Sequence, residues 1–529
     1  MRPVIVTDPR LHIAVIGAGI GGLAAALRLA HGGARVTVFE SQANPGGKMR
    51  TVPSAAGSVD AGPTVLTMRN VFDTLFEETG STLDAHVTLE REEILARHFW
   101  PDGTRLDLMA DAATSAENIG QTFGPRAAKD FAAFHARTRH LFDAFDAPMM
   151  RSAAPSALSL TARVLRDPRL LLRMEGHRSL ARSLARQFSE PKLARLFGRY
   201  ATYVGGIPQT SPALLALIWQ AEARGVWHVR GGMHALAQAI HQRAKALGAT
   251  FHFNSPVTRI EMQAGRPAAV DTAQGRTPVD AVLFNGDPRA LEQGLLGQKA
   301  RGAVSGKGTS PRSLSACVHA FAADCSGPDL AAHNVFFCAD ARDEFGPLSK
   351  GQAPRDATVY LCAQDRFAGR TPTGPERFEL IVNAPPAPDG TPPNQEETHQ
   401  CHRSTMARLA RFGLRFTPEP GPEALTMPQD FAALFPASNG ALYGRSPQGM
   451  MAAFQRPIAR SRIPGLYLVG GGAHPGAGVP MATLSAAHAA AAMLSDLSST
   501  STSPQAATPG GTSTVSPTMA SAPSRSSAS

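Results

Sequence analysis

Three glycines and one acid carry the strongest chemical signal in this chain. Gly17-x-Gly19-x-x-Gly22 is followed by Glu40. At this spacing Gly17 permits a tight turn, Gly19 lets the backbone approach a pyrophosphate, and Gly22 allows close helix–strand packing. A helix that starts there offers unpaired N–H groups to the phosphates. Glu40 can accept hydrogen bonds from both ribose hydroxyls and would repel a 2′-phosphate, which disfavours NADP. A GxGxxG run on its own also fits an ordinary glycine turn. Here strand, turn, helix, second strand and terminal acid follow in the order that dinucleotide binding needs.

A second glycine-rich stretch lies near the other end. Gly465-Leu466-Tyr467-Leu468-Val469-Gly470-Gly471-Gly472 continues as Ala473-His474-Pro475-Gly476-Ala477-Gly478-Val479-Pro480 and enters an alanine-rich run. Backbone amides at such a helix start suit a phosphate or a ring carbonyl. His474 has no second ligand near it in sequence, which favours a structural place in the loop over metal or base chemistry. No zinc spacing occurs, and no metal is expected. Asp143 and Asp146, near the end of a helical run, are candidate proton acceptors, although a solvated helix face is the commoner fate of such acids. Tyr203, His228 and Arg230 are further candidates. None of these identifies itself as catalytic.

The elements that must position these residues can be read coarsely. Leu11–Ile16 is a short apolar run expected of a buried parallel strand, Leu23–Ala30 a helix stopped by Gly32-Gly33, and Arg35–Phe39 the second strand. Residues 76–229 read as mainly helical. Residues 230–290 return to α/β character, with strands expected at Thr250–Phe253 and Ala281–Phe284. A mixed segment covers 310–454. From Ser498 to Ser529 the composition is Ser, Thr, Pro, Ala and Gly, which predicts a disordered tail.

The chain has 529 residues, 43% of them hydrophobic and 18% charged, a globular composition too long for one simple core. Its 52 Lys and Arg exceed its 42 Asp and Glu by ten. Between Arg151 and Tyr200 stand eleven Arg or Lys and three Asp or Glu, a net of +8. Arg178, Arg182 and Arg186 repeat every four residues there, as do Leu180, Leu184 and Phe188. That pattern suits an anionic membrane surface or a helix packed on its own domain. No nucleic-acid motif is present, and no nucleic-acid partner is expected. The five cysteines form no CxxC pair, which predicts free thiols in a reducing compartment. Neither a signal peptide nor a spanning helix is expected.

The resemblance to a known family is specific. GAGIGGLAAALRLA, FESQANPGGKM, DAGPTVLTM, RYATYVGGIP, GVWHVRGGMHALA, ADAVLFNGDP and GLYLVGGGAHPGAGVP resemble the bacterial phytoene desaturase family of carotenoid desaturases. The likeness spans nearly all of residues 10–496. Ala332–Phe337, Thr358–Arg366 and Ile381–Pro385 resemble its hydroxyneurosporene (1-hydroxycarotenoid 3,4-) desaturase branch. The implied fold is α/β: an FAD-binding Rossmann-like domain of amine-oxidase/GDI-like type, interleaved with an α+β substrate domain. The FAD-binding domain would comprise 10–75, 230–310 and 455–497. The substrate and membrane-associating domain would comprise 76–229 and 311–454, and 498–529 the tail. FAD contacts carried over are Gly17, Gly19, Gly22, Glu40, Gly47, Lys48 and Val257. Gly472 and Gly478, Val479, Pro480 and Met481 would lie near the flavin ring and ribityl chain.

The resemblance implies FAD-dependent desaturation of an acyclic carotenoid. The expected reaction is C3–C4 dehydrogenation of a 1-hydroxy or 1-methoxy neurosporene-type substrate, with phytoene or neurosporene desaturation as the alternative. It removes two hydrogens next to a polyene, one as hydride and one as proton, so positioning and dryness matter more than a strong nucleophile. The expected partners are the carotenoid, an anionic membrane surface, and oxygen or a quinone as electron acceptor. The location implied is peripheral, on the cytoplasmic side of an inner or photosynthetic membrane. Two other readings use the same scaffold. A flavin amine oxidase would feed a charged amine past aromatic rings. A non-catalytic prenyl-binding protein would not use FAD, and the retained Glu40 and C-terminal glycine loop argue against it.

Overall fold

The computed structural model describes residues 11–500. Five parallel strands form one sheet, in the order Leu466–Leu468, Ala281–Phe284, His12–Ile16, Arg35–Phe39 and Thr250–His252. The first strand explains its own composition. Ile13 and Val15 enter one core and Ala14 and Ile16 another, so both faces are covered. Burial on both faces is why the run is apolar throughout rather than alternating.

One face carries the helices Ile20–His31, Met233–Ala246 and Val479–Thr500. Ala24, Ala25 and Ala26 of the first share a core with Ala486, Ala489 and Ala490 of the last. The other face is covered by an antiparallel meander, Val257–Gln263, Arg266–Thr272 and Gly275–Pro278, through Ile260 and Val270.

A second, eight-stranded sheet is built mainly from residues between 94 and 426. Its long central strands, Ser315–Ser326 and Glu376–Ala384, pair antiparallel from Ser315 opposite Ala384 to Ala323 opposite Glu376. Alternation then assigns the faces. Phe378, Leu380 and Val382 pack into a core with Met406 and Leu409 of the helix Gln395–Arg411. Glu379, Ile381 and Asn383 face an internal cavity.

Residues 76–229 are mainly helical, as expected, with four short strands among the helices. Leu89–Arg91, Ile94–Phe99, Arg105–Met109 and Trp227–Val229 are strands, and the second and third extend the large sheet. A Pro101-Asp102-Gly103-Thr104 turn joins those two, with Gly103 at φ +83°, a turn signal that the helical reading passed over. The apolar half of the repeat at 178–188 packs within the domain. In the helix Leu180–Gln187, Leu180 and Leu184 are buried with Phe131 and Phe197, while Arg182 and Arg186 face out. The final helix runs to Thr500, so the expected tail boundary at Ser498 falls within it. The rest of that tail lies outside the described residues. Among those residues no helix is long and apolar enough to cross a membrane.

Candidate functional site

One cavity of about 1150 Å³ runs from the glycine turn to the large sheet. At its first end Gly17 adopts φ +98° and donates its N–H to the Phe39 carbonyl at 2.7 Å. Gly22 does not line the cavity. A Cβ there would sit 2.0 Å from the Gly17 carbonyl oxygen, so this glycine secures the helix against the turn. Gly19 is the N-cap of the helix Ile20–His31 and supplies no side-chain cap, which leaves that end's N–H groups to a ligand. The Glu40 carboxylate is held beside the turn. It accepts the Ala18 N–H at 2.6 Å and the Gln42 N–H at 2.9 Å. Val257 lines the same end. Asn285 donates to the Gly17 carbonyl at 3.1 Å and would meet a Cβ placed on Gly21 or Gly22. It organises the turn from just beyond the strand Ala281–Phe284, a role that local spacing could not show.

The middle of the cavity is made by backbone approaching backbone. A Cβ on Gly47 would lie 3.1 Å from the Gly19 Cα, and the Gly46 N–H donates to the Ala18 carbonyl at 2.9 Å. Lys48 is half-buried, and its ammonium donates to the Leu442 carbonyl at 2.6 Å. Desolvation pushes Lys48 down to about 8, with Asp287 opposing the shift. Arg456 donates to the carbonyls of Gly471, at 2.8 Å, and Tyr443, at 2.9 Å. A Cβ on Gly472 would meet the Pro288 ring at 2.4 Å. Gly478, at φ +113°, leads into the helix Val479–Thr500, where Val479, Pro480 and Met481 line the cavity. Asp60 serves the fold here, accepting the Met233 N–H at 2.5 Å at the start of a helix.

Beyond this the cavity becomes an apolar chamber. Ala316, Val318 and Ile381 form its floor, and Phe142, Phe145, Leu160, Val164 and Leu214 its helical wall. Leu165, Leu171, Met450 and Met451 line it and are also exposed, which marks its rim. A polar knot of Arg199, Tyr203 and Glu222 interrupts the wall. Arg199 donates to the Tyr203 hydroxyl at 3.0 Å, and the Tyr200 hydroxyl donates to Glu222 at 2.5 Å.

Of the candidates Asp143, Asp146, Tyr203, His228 and Arg230 raised from the sequence, only Tyr203 lines the cavity. Asp143 pairs with Arg224 at the surface, and Asp146 pairs with Arg151 at 2.7 Å. His228 is buried outside the cavity, its ring stacked 3.9 Å from that of Phe367, and burial pushes it down to about 4. Arg230 is exposed and pairs with Glu90 at 2.6 Å. His474 donates from Nε2 to the Ser152 carbonyl at 2.9 Å, a structural tie. Sequence reasoning missed Glu379, Tyr360 and Tyr443. Tyr360 is fixed by Thr64 and His333, each 2.7 Å from its hydroxyl. Neither carboxyl oxygen of Glu379 has a hydrogen-bond partner among the described residues.

A family model described as flavin containing amine oxidoreductase matches residues 20–494. A hydroxyneurosporene desaturase of Cereibacter sphaeroides is 52% identical over 490 residues, covering 92% of this chain and 98% of that one. A 1-hydroxycarotenoid 3,4-desaturase of a Flavobacterium is 27% identical, covering 89% of this chain and 96% of that one. The fold is shared with an oxidoreductase from Methanosarcina mazei at a TM-score of 0.60 and 16% identity, covering 90% of this chain and 99% of that chain. The glycine cradle, the uncapped helix end and the oriented Glu40 therefore stand in a flavoprotein oxidoreductase, and the chain belongs to the flavin-containing amine oxidoreductases, in the branch of the hydroxyneurosporene desaturases.

Proposed function

We propose that this protein is an FAD-dependent desaturase of acyclic carotenoids that introduces the C3–C4 double bond into 1-hydroxy or 1-methoxy neurosporene-type substrates. The carrying observation is the single cavity that joins a dinucleotide cradle to an apolar chamber. Gly17, Gly19, Glu40, Gly47 and Val257 would hold the nucleotide half of FAD, with Gly22 securing the turn. Lys48, Gly472, Gly478, Val479, Pro480 and Met481 would flank the flavin. When bound, the flavin supplies a hydride acceptor. The chain's own residues do the rest. The glycine contacts bring the cradle within reach of the chamber, the apolar walls keep water from a delocalised cation, and the floor sets which bond faces the ring. Oxygen or a quinone reoxidises the cofactor in this reading.

The chamber's rim favours supply from a bilayer. Leu158, Leu165 and Leu172, on the helices Ala157–Arg166 and Pro168–Met174, are 84%, 70% and 78% exposed. Arg166, Arg169 and Arg173 are exposed on the same helices. Apolar side chains beside cations match an anionic lipid surface. We place the docking face there, as a peripheral contact with the cytoplasmic side of the membrane. Product analysis with a panel of acyclic carotenoids and amines tests the function. The expected result is a chromophore lengthened by one double bond from a 1-hydroxy substrate. Turnover of amines alone would overturn it.

A further inference from the structure

Glu379 stands out among the buried groups of the cavity. It lies on the floor strand Glu376–Ala384, is fully buried, and faces the chamber. Its two carboxyl oxygens have no hydrogen-bond partner among the described residues, although an unpaired buried carboxyl is costly. Other buried acids nearby are satisfied. Glu344 accepts from Thr358 at 2.7 Å and Asn383 at 2.9 Å. Glu222 accepts from Tyr200.

Its place in the fold is beside the flavin-flanking segments. The residue opposite Glu379 in the sheet is Ala320. Ala320 packs against Val59 and Ala61, and Ala61 starts the loop whose Gly62 abuts the Lys48 carbonyl. Tyr443, whose carbonyl is held by Arg456, lines the same chamber as Glu379. Burial pushes the Glu379 carboxyl well above the usual carboxylate range, which favours its protonated form. A neutral carboxyl offers one O–H donor and one carbonyl acceptor. A tertiary alcohol offers the same pair in reverse.

Substrate chemistry gives this position a meaning. In a 1-hydroxy carotenoid desaturated at C3–C4, the oxygen sits on C1, two bonds from C3. The group that reads the hydroxyl must therefore line the chamber next to the reacting bond and not at its far end. We propose that Glu379 is the specificity-determining residue that hydrogen-bonds the C1 oxygen and thereby sets C3–C4 against the flavin. A 1-methoxy end, an acceptor only, would still take the carboxyl O–H. This inference rests on the desaturase reading above.

The test uses the flavin-loaded full chain, Glu379→Leu and Glu379→Gln, and two liposome-embedded substrates: 1-hydroxyneurosporene and neurosporene, which share the polyene and differ in the oxygen. The expected parent prefers the hydroxylated substrate. Glu379→Leu should lose about 10- to 100-fold in kcat/KM on it and little on the other, because a buried hydroxyl is left unpaired. Glu379→Gln, which keeps a donor and an acceptor, should retain the preference. If Glu379→Leu fails to hold flavin, Glu379→Met gives the same comparison. An equal loss on both substrates, or a preference that survives Glu379→Leu, overturns the assignment while leaving the desaturase reading intact. A parent that desaturates neither carotenoid overturns the desaturase reading itself.

Discussion

Glu40 does two jobs with one carboxylate. It accepts two backbone N–H groups, from Ala18 and Gln42, and so is aimed before any ligand arrives. Charge-assisted hydrogen bonds of this kind are each worth about 1.5–3 kcal/mol. Glu40→Arg removes these acceptors and should lower flavin affinity at least 100-fold. Flavin absorbance per protein after dialysis measures it, and a full complement at unchanged affinity would contradict the ribose assignment. Glu379 makes a second prediction, on pH. Its folded carboxyl titrates well above its ordinary 4.5, with Asp60 adding to the shift and Arg50 opposing it; Tyr360, Tyr443 and Cys362 also face it. An acid whose folded pKa is raised favours folding below its unfolded pKa and costs stability as pH climbs above it. Replacing Glu379 by Gln should thus raise Tm relative to the parent, and the gap should widen from pH 5 to pH 9. A gap independent of pH would mean that Glu379 is ionised throughout.

Among the elements, the helices Ala157–Arg166 and Pro168–Met174 differ from their neighbour Leu180–Gln187. The neighbour buries its leucines in the core, whereas the first two turn Leu158, Leu165, Leu171 and Leu172 outward, Leu165 and Leu171 at the cavity rim. The C-terminal segment anchors the chain that leads into them: His488 donates to the Met150 carbonyl at 3.1 Å and His474 to that of Ser152. Burying a leucine in an apolar phase is worth about 1.5–3 kcal/mol. Changing Leu158, Leu165 and Leu172 to Ser should release the protein from anionic liposomes and depress turnover of liposome-embedded carotenoid at least tenfold. Flavin content should not change. Arg182→Glu with Arg186→Glu, on the helix packed into the core, should weaken docking far less. If the arginine pair releases the protein and the leucine triple does not, the docking face is the other helix.

At the scale of the whole molecule, the cavity gathers residues from stretches far apart in the chain: 16–68, 142–222, 256–257, 284–296, 316–318, 358–383 and 431–482. A ligand that bridges them binds only the folded chain. At about 1000 times its Kd such a ligand stabilises the fold by about 4 kcal/mol. Flavin removal should therefore lower Tm by several degrees, with recovery on adding FAD back. An apoprotein of unchanged Tm would place the flavin outside these stretches.

Local, contiguous chemistry was legible in the sequence. Gly17, Gly19, Gly22 and Glu40 sit on one strand–turn–helix–strand unit, and only a short walk along the chain separates the turn from the acid. The glycine loop before Val479 is local in the same way. The identity of the large sheet was less legible, because the hairpin of Ile94–Phe99 and Arg105–Met109 joins it only where Ile94–Phe99 pairs with His333–Phe336, far away in the chain. The repeat at 178–188 had two readings in sequence, and only the fold shows that Leu180 and Leu184 are buried in the domain's own core. Asn285, Tyr443 and Glu379 carry no local signal at all. Each gains its part from what folding sets against it: a glycine turn, the Gly471 loop, an apolar chamber. Whether a carboxyl is solvated, paired or alone is decided by which distant elements exclude water from it, and one-dimensional spacing does not contain that.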